Sequence, residues 1–189
     1  GSVILEAIGG SYVDEATGST TTNTVLLRAA VTNVSGNVTA AVTPLTEIAV
    51  QKAGTLTAAN INAADTLVSN MIGGTNIITT MPANVLATSS STTAAKNYGL
   101  ALATISQMVS DGTASNVSSA ISMIAADLAD NTLNTTGGAI LTSLDNFLAS
   151  TNNQSGLTSA NAPAAAAVAS ATTGSIRNNW NINGSFKYI

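Results

Sequence analysis

Cysteine and histidine are both absent from this 189-residue chain, and only 7% of its residues are charged. Without cysteine, a disulfide framework and thiolate metal sites are excluded. Without either residue, the common nucleophilic triads and most transition-metal sites are excluded as well. A protein of this size ordinarily carries about a quarter charged residues. We therefore expect no enzymatic activity, no cofactor, and a surface made of hydroxyls, amides and methyl groups.

Basic charge is equally scarce. The five basic residues are scattered along the chain, at Arg28, Lys52, Lys96, Arg177 and Lys187. Nucleic-acid binding requires clustered positive charge, so no nucleic-acid partner is predicted. The longest apolar run is far shorter than the roughly 18 residues that span a bilayer, so the chain is predicted not to span a membrane.

The first 43 residues have the pattern of strands. Val3 to Ile8 is a short apolar run, Tyr12-Val13 precedes a polar turn, and residues 25–31 alternate with a period of two. Val38, Ala40 and Val42 continue the alternation after a second polar turn. This pattern predicts three strands in an antiparallel meander.

Residues 44–174 change to helical spacing. Thr43 is a predicted N-cap, Pro44 suits the first helical position, and Glu47 lies in the first turn of a helix that ends at Gly54. Further helices are predicted from Thr57, over residues 93–110, after a Ser115 cap, around residues 140–148, and from Pro163. Apolar residues three and four apart predict their buried faces: Ile61, Ala64, Val68, Met71, Ile72, Tyr98, Ile105, Met108, Ile121, Ile124, Met123, Leu144 and Phe147.

Residues 175–189 return to a strand pattern. Ile176, Trp180 and Ile182 fall on one face, and Asn183-Gly184 is a strong hairpin signal. The sequence therefore predicts one α+β domain over residues 1–189. Strands in 1–43 and 175–189 form a small antiparallel β-sheet, which packs on a bundle of five or six helices.

Two short stretches carry a resemblance to a known group of proteins. YVDEATG at residues 12–18 and VTPLTE at 42–47 resemble a recurrent segment of large secreted bacterial cell-surface proteins. In those proteins the segment follows immunoglobulin-like or carboxypeptidase-regulatory-like modules. The similarity covers about residues 3–80, with LTAANI at 56–61 as its continuation. The resemblance implies an extracellular or cell-surface location and supplies no catalytic residues.

Three features remain as candidate chemical sites. Asp14 and Glu15 lie in a Gly-bounded turn that is a weak calcium candidate, although a simple turn is the favoured interpretation. Asp127 and Asp130 share a helix face and leave an acid-only glycosidase open, with a solvated helix end favoured. The glycine pairs at 9–10, 73–74 and 137–138 lack the Lys-Ser/Thr of a phosphate loop, so each is interpreted as a turn or helix stop.

These observations favour a homopolymer as the functional form. We expect an extracellular structural subunit that self-assembles into a filament or surface layer through terminal strand pairing between subunits. The predicted subunit interface consists of Ile176, Trp180, Ile182, Phe186 and Tyr188. Pairing of this tail within its own subunit is equally open, and an adhesin-like binding module of a larger cell-surface protein is the alternative function.

Overall fold

The computed structural model of the chain describes residues 1–159. Its strands are β1 (Val3–Ala7), β2 (Ser11–Val13), β3 (Thr20–Thr22) and β4 (Leu27–Val31). Its helices are α1 (Pro44–Ala53), α2 (Ala58–Met71), α3 (Thr93–Ser110), α4 (Val117–Asp127) and α5 (Gly137–Ala149). These elements confirm the predicted α+β class. The helix predicted from Pro163 and the strands predicted in 175–189 lie outside the described residues.

The strands form two antiparallel pairs rather than a meander. β1 pairs with β4 in a register that runs from Val3 opposite Val31 to Ala7 opposite Leu27, and β2 pairs with β3. The predicted strand at residues 38–42 is wrong, because these residues form no strand. Instead, the Ala41 N–H donates to the Ile78 carbonyl at 2.8 Å. The backbone of the loop before α3 thus pairs with the Ala41 N–H, and the segment leads into α1 without joining a sheet.

The helix starts follow local capping chemistry. Thr43 caps α1 in a reciprocal box with Thr46, and Thr57 caps α2. The predicted Ser115 cap is wrong by one residue, since the Asn116 side chain accepts from the Ser119 N–H at 2.8 Å. The glycine pair 137–138, predicted as a turn or stop, begins α5. The cap is therefore made by whichever polar side chain reaches the third N–H of its helix.

The core lies where α1 packs against α2, α4 and β4, with α3 on α5 as a second layer. The predicted helix faces are buried, as Ile121 (1% exposed) and Leu144 (3% exposed) illustrate, except that Met71 and Met123 are only partly buried at the edge of the core. Ala29 and Ala30 are both buried although they are consecutive, so β4 is covered on both of its faces. In β1 the burial alternates, with Ile4 and Glu6 exposed. β1 therefore has one face toward the core and the other toward solvent.

Candidate functional site: a polar cleft beside helix α2

A cleft of about 440 Å³ opens between α2, the end of β4 and the loop of residues 74–79. The α2 wall is polar along its whole length and consists of Asn62, Asp65, Thr66, Ser69 and Asn70. Val31, the last residue of β4, and the following Thr32 form a second wall, and Asn76, Ile78 and Thr79 form a third. We call this feature the α2 cleft.

The loop that forms the third wall is held by three hydrogen bonds. The buried Tyr98 hydroxyl donates to the Ile77 carbonyl at 2.9 Å, and the Ile78 carbonyl accepts from the Ala41 N–H. The Ile77 N–H donates to Ser69 Oγ at 3.2 Å. Ile77 itself is completely buried. Because the loop is tied to α2, α3 and the segment before α1, the cleft is already formed without a ligand.

Asp65 is the ionisable side chain of the α2 cleft. No hydrogen bond or ion pair joins its carboxylate to another residue in the described part of the chain. Partial burial removes water from the carboxylate and raises the pKa of Asp65 to about 6. The Tyr98 phenol lies behind it, and burial raises the pKa of that phenol too. The cleft thus contains one carboxylate whose charged form lacks a protein partner.

Three of the other polar side chains in the α2 cleft have their acceptor atoms occupied. Asn76 Oδ1 accepts from the N–H groups of Ile78 and Thr79, both at 2.9 Å, which directs the Asn76 amide protons away from that backbone. Asn62 Oδ1 accepts from the Thr32 hydroxyl at 2.8 Å. Ser69 Oγ accepts from the Ile77 N–H and retains its own proton. The cleft therefore has one charged acceptor, Asp65, near the free protons of Asn76 and Ser69. The side chains of Thr66, Asn70 and Thr79 make no hydrogen bond within residues 1–159, and each can donate and accept.

Asp65 is not among the sites predicted from the sequence, although the sequence contains one signal for it. Asp65 follows Ile61 by four residues and precedes Val68 by three, so it falls on the same helical stripe as these buried residues. A carboxylate in register with an apolar stripe is expected to be partly buried. Its isolation depends on the loop at 74–79, which helical spacing does not predict.

The turn with the calcium candidates uses its carboxylates for internal hydrogen bonds. Asp14 Oδ1 accepts from the backbone N–H and the hydroxyl of Thr17, and Glu15 accepts from the Ser106 hydroxyl at 2.7 Å. Burial raises the pKa of Glu15, and the bond from Ser106 opposes that shift. No group of three or more acidic side chains that could hold a metal ion occurs within residues 1–159. The geometry of this segment is that of a turn anchored to α3.

Asp127 and Asp130 are also engaged by the loop that follows α4. Asp127 accepts from the N–H groups of Thr135 and Thr136 and from the Thr136 hydroxyl, just before α5. Asp130 accepts from the N–H and hydroxyl of Thr132, and these bonds lower the pKa of Asp130. Each carboxylate therefore stabilises a different part of the loop that connects α4 to α5.

The predicted interface residues Ile176, Trp180, Ile182, Phe186 and Tyr188 lie outside the described residues. Within residues 1–159, no helix combines the length and the apolar character that crossing a membrane requires.

Comparison with protein-family models, with curated proteins and with solved structures found no match.

Proposed function

We propose that this chain is an extracellular structural subunit that self-assembles into a filament or surface layer through strand pairing between subunits. The observation that carries the proposal is the position of β1. Within residues 1–159 its only strand partner is β4, and β4 lies against α1. The outer edge of β1 therefore has unpaired N–H and C=O groups that a strand from another subunit can satisfy.

The surface near β1 supports an assembly role. Ile4 is 36% exposed, and Ile8, just after the strand, is 77% exposed. A surface with few charges provides little electrostatic repulsion between copies. Ile176, Trp180 and Ile182 supply apolar side chains on one face of the proposed donated strand. The resemblance of residues 3–80 to secreted cell-surface proteins supports an extracellular location, and the lack of His and Cys supports a non-enzymatic role.

The proposal is tested by electron microscopy and sedimentation of the full chain beside two lysine variants. We expect Ile4→Lys to reduce polymerisation strongly, because a lysine on an edge strand opposes pairing with another strand. Met81→Lys is the matched control, since Met81 is 49% exposed, belongs to no strand or helix, and the charge change is the same. Deletion of residues 175–189 should yield a folded monomer.

Polymers of Ile4→Lys or of the truncated chain that match those of the parent would contradict strand donation to β1. Parent protein that remains monodisperse would instead support the second candidate, an adhesin-like binding module of a larger cell-surface protein. The α2 cleft is the observation that favours this alternative, because a preformed polar cleft is suited to ligand recognition.

A further inference from the structure

We propose that the α2 cleft is a binding site for a neutral saccharide, whose hydroxyl groups donate to the Asp65 carboxylate and accept from the surrounding amides and hydroxyls. This inference goes beyond self-assembly and holds for a polymer subunit or a binding module alike. It rests on the hydrogen-bonding capacity that the local structure leaves unused.

The donor and acceptor pattern distinguishes among ligand classes. A metal ion or an ammonium group needs several acceptors, and two of the lining side chains are poorly placed to supply them. Asn76 and Ser69 have oxygens that already accept backbone hydrogen bonds, so they present protons to the cleft. An anionic ligand would be repelled by the Asp65 carboxylate. A hydroxyl group both donates and accepts, so a ligand with several hydroxyls matches a lining that combines one carboxylate with neutral amides and hydroxyls.

Size and rigidity also fit a small sugar. The cleft of about 440 Å³ lies within the range of about 300–1,000 Å³ that is common for small-molecule sites. Val31 and Ile78 give the wall an apolar portion on which the C–H groups of a sugar ring can pack. Because the loop is fixed by Tyr98, Ala41 and Ser69, little ordering cost is expected on binding.

Asp65 also has the energetic character of a binding residue. Its carboxylate is partly desolvated and has no compensating bond within the described part of the chain, so its charged form opposes folding. A partly buried carboxylate that lines a cleft and has no polar partner within the described residues is a candidate binding residue. The hydroxyls of a bound sugar would supply the missing donors.

The experiment uses the full chain and a defined panel of small ligands. The neutral members are methyl glycosides of glucose, galactose, mannose and N-acetylglucosamine and their disaccharides; the charged members are glucosamine, N-acetylneuraminic acid and calcium chloride. Ligand-observed NMR and calorimetry at pH 7 should show a neutral saccharide binding with a Kd of about 1 mM or tighter. Asp65→Asn should weaken it by about tenfold or more, because a hydrogen bond to a charged acceptor is lost.

Two further variants make the result specific to the cleft. Asp145→Asn removes an exposed carboxylate of α5 and should leave the affinity unchanged. Asn70→Ala removes a cleft side chain that makes no side-chain hydrogen bond among residues 1–159, and it should weaken binding while the protein remains folded. No binding by any neutral saccharide, preference for a charged member, or equal affinity in Asp65→Asn and the parent would each overturn the proposal.

A pH series gives a readout that a structural role would not share. The folded pKa of Asp65 is raised from 3.8 to about 6, so the folded state binds the proton more tightly than the unfolded state between these values. The contribution of Asp65 to stability therefore falls as the pH rises through this window. Asp65→Asn should raise the Tm at pH 7 and change it little at pH 4, while sugar binding by the parent weakens from pH 7 to pH 5. A Tm lowered at pH 7 would assign Asp65 a structural role and overturn the proposal.

Discussion

Gly99, at the scale of a single residue, shows tertiary packing overriding helix propensity. It lies within α3, where alanine would favour the helix by about 1 kcal/mol. A Cβ atom at this position would overlap the backbone carbonyl oxygen of Ala83 and stand 2.8 Å from Val85 Cγ1. The segment around Ala83 cannot easily move away from Gly99, because the Ala83 N–H donates to the carbonyl of Ala95, also in α3, at 2.9 Å. Glycine is therefore required by the close approach of this chain segment to α3.

We expect Gly99→Ala to destabilise the protein by about 2 kcal/mol, the cost of overpacking exceeding the gain in helix propensity. Gly138→Ala is the matched control, since Gly138 is also helical and nothing lies within 4 Å of its added Cβ. That variant should be stabilised by about 0.5 kcal/mol. Urea unfolding of the three proteins measures both effects. Equal free-energy changes for the two variants would contradict the packing explanation.

At the scale of helices and strands, an ion pair joins β4 to α1. Arg28 Nε and Nη2 donate to the two carboxylate oxygens of Glu47 at 2.9 and 2.6 Å. The Glu47 side chain is 4% exposed and that of Arg28 is 31% exposed. The sequence indicated only that Glu47 favours the first turn of α1. In the structure Glu47 also anchors β4, the strand that pairs with β1.

Arg28→Ala should lower the free energy of unfolding by about 3 kcal/mol, because it leaves the Glu47 carboxylate buried without its cation. In the double variant Arg28→Met/Glu47→Leu no buried charge remains, so we expect a stability within about 1 kcal/mol of the parent. Lys96→Ala is the control for loss of a positive charge elsewhere. Chemical denaturation measures all four proteins, and a double variant as unstable as Arg28→Ala would refute this account.

Elements specified by nearby residues were predictable from the sequence. The Thr43 cap and the bounds of α3 depend on hydrogen bonds and apolar spacing within a few residues, and the structure confirms both. The pairing of β1 with β4 spans the ribbon formed by β2 and β3, and β3 is a run of threonines without apolar alternation. Strand pairing at such a distance is not specified by local pattern. The isolation of Asp65 escaped prediction because its surroundings come from β4, which is far away in the sequence, and from the irregular loop at 74–79, whose path helical spacing does not specify.

For the molecule as a whole, the distribution of charge along the chain is uneven. Residues 1–159 contain three basic and nine acidic residues, a net charge of −6, whereas residues 160–189 contain two basic and no acidic residues, a net charge of +2. If the tail of one subunit pairs with the body of another, as the proposed function requires, opposite charges meet at each contact. Electrostatic attraction would then assist an association that depends mainly on strand pairing and apolar contact.

This charge asymmetry can be tested with two variants that have the same total charge but lose a positive charge at different positions. Lys187→Gln and Lys96→Gln each remove one positive charge, but the first weakens the tail and the second makes the body more negative. At low ionic strength we expect Lys187→Gln to raise the critical concentration for polymerisation severalfold, while Lys96→Gln leaves it unchanged or lowers it. At 1 M salt the Debye length is about 3 Å, so the difference between the variants should disappear. Sedimentation across a salt series measures it, and variants that behave alike at low salt would show that the tail does not contact the acidic body of a neighbour.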